Sequence, residues 1–106
     1  MPRYLIKASY TAEGIKGLRK DKASGRKTAV AAALEGLGGK LEAMYYAFGD
    51  ADVFAIVEMP DNASIAAFSL AASATGTAHT TTTTLLTIEE ADKALEKTVS
   101  FRAAGK

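Results

Sequence analysis

The only histidine of the chain, His79, is the side chain best suited to move a proton at neutral pH. A neutral imidazole can act as a general base or bind a haem iron. A zinc or non-haem iron site would need further His or Cys ligands, and the chain has no cysteine. We therefore predict no metal ion and no cofactor. We interpret His79 as a partly exposed residue at the start of a strand, with a catalytic role as the alternative.

Two charged residues, Lys7 and Glu58, fall within segments that are otherwise largely apolar. A charge that is buried in such a place needs a partner. The simpler interpretation is an ion pair between Lys7 and Glu58 that supports the fold. The alternative is that both line a cavity and bind the carbonyl or carboxylate of a small ligand. Glu58 would then be a second candidate for a catalytic base.

Three further residues, Met44, Tyr46 and Phe54, supply the other parts of such a cavity. The hydroxyl of Tyr46 would donate a hydrogen bond, and Met44 and Phe54, together with Ile56, would form an apolar wall. The same side chains would serve equally well as the core of an interface between two copies of the chain. We favour this second interpretation, because soluble monomers rarely expose a large apolar patch.

Other charged residues have simpler explanations. Asp50 and Asp52 flank a short turn, where aspartate commonly hydrogen-bonds the backbone. A basic segment has no aromatic residues among its charges and no glycine-rich phosphate loop, so we interpret it as a solvated helix face rather than an anion site. That segment contains Lys16, Arg19, Lys20, Lys22, Arg26 and Lys27.

Composition restricts the class of protein. With 106 residues there is room for one domain, and 48% hydrophobic and 24% charged residues are typical of a globular chain. A formal charge of +1 argues against nonspecific nucleic-acid binding. The first residues contain no long apolar run that would act as a signal peptide or membrane span. We expect a soluble, cytoplasmic protein that binds neither nucleic acid nor a membrane.

The elements that must position these residues follow from periodicity and capping signals. Alternation over residues 3–10 predicts a strand. Thr11 then caps a long or kinked helical segment. Ser24 and Gly25 interrupt this segment, and the glycines at 36, 38 and 39 end it. Residues 41–48 and 52–59 predict a hairpin. The pattern continues with a helix capped at Pro60-Asp61-Asn62 and ending near residue 76, a strand over 78–86, and a short helix opened by a capping box of Thr87 and Glu90.

The predicted order is β-α-β-β-α-β plus a terminal helix, which is the ferredoxin-like motif of the α+β class, with a four-stranded antiparallel sheet and both helices on one face. We predict one domain over residues 1–99 and a mobile tail over 100–106. The other sheet face is then uncovered, and a second copy of the sheet is its most economical cover. The apolar residues expected on that open face are Leu5, Met44, Tyr46, Phe48, Phe54 and Ile56.

Three segments resemble the GYD domain family, a branch of the dimeric α/β-barrel superfamily. They are residues 10–17, the pair Gly38-Gly39 ahead of residues 45–49, and residues 57–61. The Gly-x-Tyr-Asp hairpin that names the family falls on residues 49–52, with its tyrosine replaced by Ala51. The resemblance implies a ferredoxin-like subunit whose sheets pack in pairs into a barrel. It implies no reaction, because the wider superfamily includes cofactor-free oxygenases, isomerases, haem proteins and ligand-sensing modules.

Two functions of different classes follow as expectations. The first is a homodimer, or a larger homo-oligomer, that binds a small hydrophobic ligand or serves a regulatory or structural role. The second is a cofactor-independent enzyme, of monooxygenase or isomerase type, acting on a small hydrophobic substrate. In that enzyme His79 or Glu58 would be the base, and Tyr46 or Lys7 would polarise the substrate. We prefer the first, since no strong nucleophile, metal or phosphate motif accompanies these residues.

Overall fold

The computed structural model describes all 106 residues. In chain order its elements are β1 (Arg3–Tyr10), α1 (Ala12–Gly36), β2 (Lys40–Tyr46), β3 (Val53–Glu58), α2 (Asn62–Ala74), β4 (Ala78–Leu85) and α3 (Ile88–Glu96). The four strands form one sheet in the order β2-β3-β1-β4, and every neighbouring pair is antiparallel. This confirms the predicted α+β, ferredoxin-like architecture.

The helix starts lie where the capping residues predict them. The hydroxyl of Thr11 accepts a hydrogen bond from the Gly14 amide at the start of α1, and the carboxylate of Asp61 accepts one from the Ser64 amide at the start of α2. These bonds satisfy amides that have no partner within the first helical turn. The same hydrogen bond lowers the pKa of Asp61.

Helix α1 is kinked, as the sequence predicts, but at a different residue. The backbone of Lys22 adopts φ 64° and ψ 166°, whereas Gly25 remains helical. A positive φ is strained for a residue with a side chain. The prediction of a break at Ser24 and Gly25 is therefore wrong by two to three residues. An ion pair spans the actual break, with Nη1 of Arg26 lying 3.6 Å from Oδ2 of Asp21.

The core lies between the helices and one face of the sheet. Alternate residues of β1 and β3 point into it, and the side chains of Leu34 from α1 and Ile65 from α2 cover them. The hydroxyl of Tyr4 lies 2.6 Å from Oδ1 of Asn62, so this large buried side chain also has its polar atom satisfied. The buried cluster consists of Tyr4, Ile6, Leu34, Ala55, Val57, Met59 and Ile65.

Strand β2 carries an irregularity that reverses part of the predicted alternation. Leu41 lies opposite Val57, but the next paired residue, Ala43, lies opposite Ile56, so the register shifts around Glu42. Beyond this bulge Met44 pairs with Ala55 on the core side.

Three predictions for the open face are wrong, two because of the bulge and one because β2 ends early. Tyr46 pairs with the buried Val53, so Met44 and Tyr46 both lie on the helix side rather than the open side. Phe48 lies beyond the end of β2 and belongs to neither face. A one-residue shift moves every later side chain of a strand to the other face, and nothing local in the sequence of β2 announces it.

The close approach of α1 to the segment before β4 makes a prediction about Gly14. A Cβ atom there would collide with the Thr77 carbonyl and the ring of Tyr10, whereas a Cβ at Gly17 would meet nothing. The same Thr77 carbonyl accepts a hydrogen bond from the Thr11 amide, so it is not free to move. We expect Gly14→Ala to reduce the free energy of unfolding by about 1–3 kcal/mol.

The matched control is Gly17→Ala, one turn further along the same helix. It should raise the free energy of unfolding by about 0.5–1 kcal/mol, because alanine loses less conformational entropy than glycine in a helix. Urea unfolding followed by circular dichroism measures both changes. Equal effects of the two substitutions would contradict the close approach at Gly14.

Candidate functional site

A crevice opens between the helices and the upper end of the sheet, where β1 ends and β4 begins. Its outer part has a volume of about 330 Å³ and its inner part about 90 Å³. Four residues line both parts, so the two parts form one continuous space. These residues are Tyr10, Arg26, Ala72 and Ala78.

The inner part of the crevice is apolar because of the residues that face it from the sheet and both helices. Alanines at positions 8, 55, 72 and 78 leave room that larger side chains would fill. The remaining walls are longer apolar side chains, and they include Met44, which the sequence analysis proposed for a cavity wall. These residues are Ile6, Val30, Met44, Val53 and Phe68.

Two tyrosines stand side by side at the sheet end of the crevice. The rings of Tyr10 and Tyr46 are stacked, with centroids 6.4 Å apart and an interplanar angle of 15°. Their hydroxyl oxygens lie 3.0 Å apart and share a hydrogen bond. Tyr10 lines the crevice, and the shared hydrogen bond holds the Tyr46 hydroxyl next to it. One of the two hydroxyls keeps its proton free to bind another acceptor.

The environment of Tyr46 favours its protonated form. Burial raises the pKa of the Tyr46 phenol well above its usual range, and the hydrogen bond with Tyr10 raises the pKa further. The positive charge of Arg26 acts in the opposite direction with a smaller effect. At neutral pH Tyr46 is therefore a neutral hydrogen-bonding group and not a base.

Arg26 lies at the junction of the two parts of the crevice. Its guanidinium has one partner in the protein, Asp21, at 3.6 Å. A guanidinium carries five N–H donors, so most of its hydrogen-bonding capacity remains for a ligand. The crevice thus combines an apolar interior with a cation and two phenols close to the junction of its inner and outer parts.

Asp52 fixes the position of Tyr10. Its carboxylate accepts a hydrogen bond of 2.8 Å from the Tyr10 amide, and its own amide donates to the Ala8 carbonyl. From the sequence, Asp50 and Asp52 are predicted to hydrogen-bond the backbone of a turn. The structure agrees that Asp52 binds backbone, although the amide belongs to β1 and not to the turn itself. Asp50 contributes its carbonyl, which accepts a hydrogen bond from the Ser9 hydroxyl.

The open face of the sheet holds the other predicted residues but does not pair them as predicted. Lys7 lies opposite Phe54 and places its ammonium 5.7 Å from the centre of that ring. Glu58 lies opposite Arg3, whose guanidinium is 3.6 Å away. The predicted ion pair between Lys7 and Glu58 is therefore absent, because Glu58 lies opposite Arg3, which is four positions before Lys7 in β1.

His79 also lies on the open face, opposite Ser9, and its side chain is exposed. Because Glu58 sits at the other end of the sheet, beside Arg3, the two candidate bases are not brought together. The sheet itself separates both of them from the crevice. No three histidine, cysteine or carboxylate side chains meet in a group that could hold a metal ion. None of the three helices is both long enough and apolar enough to cross a bilayer.

Sequence reasoning missed two residues of the crevice, Tyr10 and Arg26. A signal for Arg26 was present, because it precedes Val30 by four residues and so extends the apolar stripe of α1 that faces the core. Tyr10 continues the alternation of Tyr4 and Ile6 on the core side of β1. Both residues fit the periodicity of core-facing positions. The space beside them becomes visible only in the structure, where alanines from several elements line it.

The fold defines a class, the α+β proteins of ferredoxin-like topology, here with one open sheet face. Within that class the chain belongs to the GYD domain family, whose model matches residues 4–95. The match runs from β1 into α3 and confirms the resemblance found in the sequence. Ala51, in the family's name-giving position, is buried. No curated protein and no solved structure matches the chain.

The raised pKa of Tyr46 makes a prediction for alkaline titration. The chain has four tyrosines and no tryptophan, so the near-ultraviolet absorbance of tyrosinate can be followed directly. We expect Tyr46 to ionise at a pH above the ordinary tyrosine pKa of about 10. The Tyr46 phenol ionises at a lower pH in the unfolded chain than in the folded protein. The stability that neutral Tyr46 contributes should therefore be present below pH 10 and decline above it.

Tyr46→Phe should remove the late component of this titration. The control is Tyr45→Phe, the next residue of β2, which lies on the opposite face and should leave the late component in place. Persistence of that component in Tyr46→Phe would contradict the assignment.

Proposed function

We propose that this protein is a small-molecule binding module that works as a pair of subunits and catalyses no reaction of its own. The crevice is its ligand site, and the open sheet face joins the two copies. The observation that carries the proposal is the crevice itself, an apolar space with Arg26 and the hydroxyls of Tyr10 and Tyr46 close to the junction of its inner and outer parts. Convergent polar groups around an apolar space are typical of small-molecule sites.

The lining indicates the class of ligand. An apolar body would fill the inner part between Met44 and Phe68 and displace weakly held water. An oxygen-bearing head group would meet the guanidinium of Arg26, which prefers carboxylates and other planar anions. The carboxylate of Asp21 beside Arg26 would repel a second negative charge on the ligand. The ligand we propose is therefore a small, mostly apolar molecule with one carboxylate.

The placement of the candidate bases supports binding over catalysis. A general base must come within hydrogen-bond reach of the proton that it removes. His79 and Glu58 lie on the open face, with the sheet between them and the crevice. The neutral phenol of Tyr46 is no substitute for a base. A cofactor-independent enzyme is the alternative, and it would have to use the open face instead.

The open face supports the pairing of subunits. Leu5, Phe54 and Ile56 lie on it in adjoining strands, and none of them is covered by a helix. The chain exposes 7471 Å² in total. A compact monomer of this mass would expose about 5,600 Å². Since each partner of a stable complex buries about 800 Å², the excess is ample for a homodimer.

A binding titration tests the ligand site, with octanoate as the acidic probe and octanol as its neutral counterpart. We expect Arg26→Gln to weaken octanoate binding by about tenfold, because it removes a charged hydrogen bond. Octanol binding should change little. Chemical shifts of ¹⁵N-labelled protein report both affinity and the residues affected.

Two controls locate the effect. Arg19→Gln removes an exposed charge from the same helix outside the crevice and should leave octanoate binding unchanged. Ala72→Leu should block both probes by filling the crevice, whereas Ala71→Leu, on the exposed side of α2, should block neither. Octanoate shifts confined to the open face, or unaffected by Ala72→Leu, would overturn the proposed site.

Sedimentation equilibrium tests the pairing of subunits separately. We expect the wild-type chain to be a dimer or a multiple of dimers. Phe54→Asp should weaken the dimer at least about a hundredfold, because a twofold interface loses the burial of Phe54 on both sides. Leu70→Asp changes an equally apolar but exposed residue on α2 and should leave the dimer intact. A wild-type monomer at all concentrations would refute the pairing.

A further inference from the structure

The C-terminal part of the chain, residues 86–101, presents apolar side chains that the rest of the chain does not cover. We refer to these residues as the C-terminal arm. Ile88 and Leu95 on α3 are 82% and 83% exposed, and Ala91 lies between them on the same helical face. The apolar character extends beyond both ends of α3, to Leu86, Val99 and Phe101.

The sequence of α3 stabilises a helix locally. Thr87 and Glu90 form a complete capping box, with hydrogen bonds of 3.1 Å and 3.0 Å, and Lys93 lies 3.5 Å from Glu89 one turn away. A helix of nine residues is nevertheless marginal in water without tertiary packing. A stable α3 therefore requires a surface for its apolar side.

The rest of the chain does not supply this surface, because α3 makes no substantial contact with any other helix or strand. The radius of gyration is 16.8 Å, and the longest dimension is 55 Å. A compact domain of this length would have a radius of gyration of about 13 Å. The chain by itself is therefore elongated, and the apolar side of α3 has no surface of its own chain to pack against.

We propose that the apolar side of the C-terminal arm packs against a second copy of this chain. The inference rests on the proposed pairing and adds a second contact to it. Leu85, the last residue of β4, lies opposite Arg3 on the open face, and α3 begins three residues later. The arm thus leaves the protein at the border of the face through which the copies pair.

Charge also favours a second copy as the partner. The arm carries four acidic residues, Glu89, Glu90, Asp92 and Glu96, against the two lysines at 93 and 97. The basic segment of α1 is exposed over most of its length and carries the opposite excess. A chain that presents both an acidic arm and a basic helix is complementary to a copy of itself.

The absence of cysteine permits a direct test on the full-length chain. Leu95→Cys places a single thiol on the apolar side of α3, and the control Glu96→Cys places one on its polar side. Reaction with a thiol reagent is measured at protein concentrations above and below the dimer dissociation constant found by sedimentation. We expect the thiol at position 95 to react about tenfold more slowly in the dimer than after dilution. The thiol at position 96 should react equally fast at both concentrations.

A second variant does not depend on thiol reactivity. Leu95→Asp should weaken the dimer, whereas Glu96→Gln should not, and circular dichroism checks that both variants are folded. If dimers form and position 95 stays as reactive as position 96, the arm does not contact the partner, while the pairing of the sheets stands. If protection of position 95 persists on dilution to monomers, the arm packs on its own chain and the inference is wrong. If no dimer forms at any concentration, the inference and the pairing fail together.

Discussion

The double pairing of β1 is the constraint on which the rest of the structure depends. Its backbone groups bond to β3 on one side and β4 on the other, so the strand cannot shift without breaking two ladders. Its alternation then assigns Tyr4 and Ile6 to the core and Leu5 and Lys7 to the open face. Asp52 secures the upper end by binding the amide of Tyr10. The crevice and the proposed interface lie on opposite faces of the sheet, and β1 contributes residues to both.

The crevice exists because the core is not filled at the upper end of the sheet. Lower in the sheet, large side chains such as Tyr4 and Met59 are fully buried, whereas alanines face the space beside Tyr10. A ligand with an apolar body would cover these side chains and release the water next to them. Arg26 and the paired tyrosine hydroxyls would then meet its polar end.

The two faces of the sheet carry different kinds of polar groups. On the open face, Arg3 binds both Glu42 and Glu58, with the Glu42 contact at 2.9 Å, and Lys7 lies over Phe54. These charges are already partnered and sit among apolar side chains, which suits an interface. Beside the crevice, the guanidinium of Arg26 and the second hydroxyl proton of the two phenols retain unused hydrogen-bonding capacity. The proposed ligand site and the proposed interface thus lie on opposite faces of the sheet.

The sequence by itself determined the order of elements, the caps at Thr11, Asp61 and Thr87, and the residues of β1 and β3 on each face. Those signals are local, since a cap or an alternation involves residues within a few positions of one another. Only the tertiary structure decided where Met44 and Tyr46 point, because the bulge at Glu42 is a property of the pairing between β2 and β3. It also decided that Arg26 and Tyr10 line the same crevice and that Lys7 does not meet Glu58. Such contacts depend on register and helix packing, which no single segment of the chain encodes.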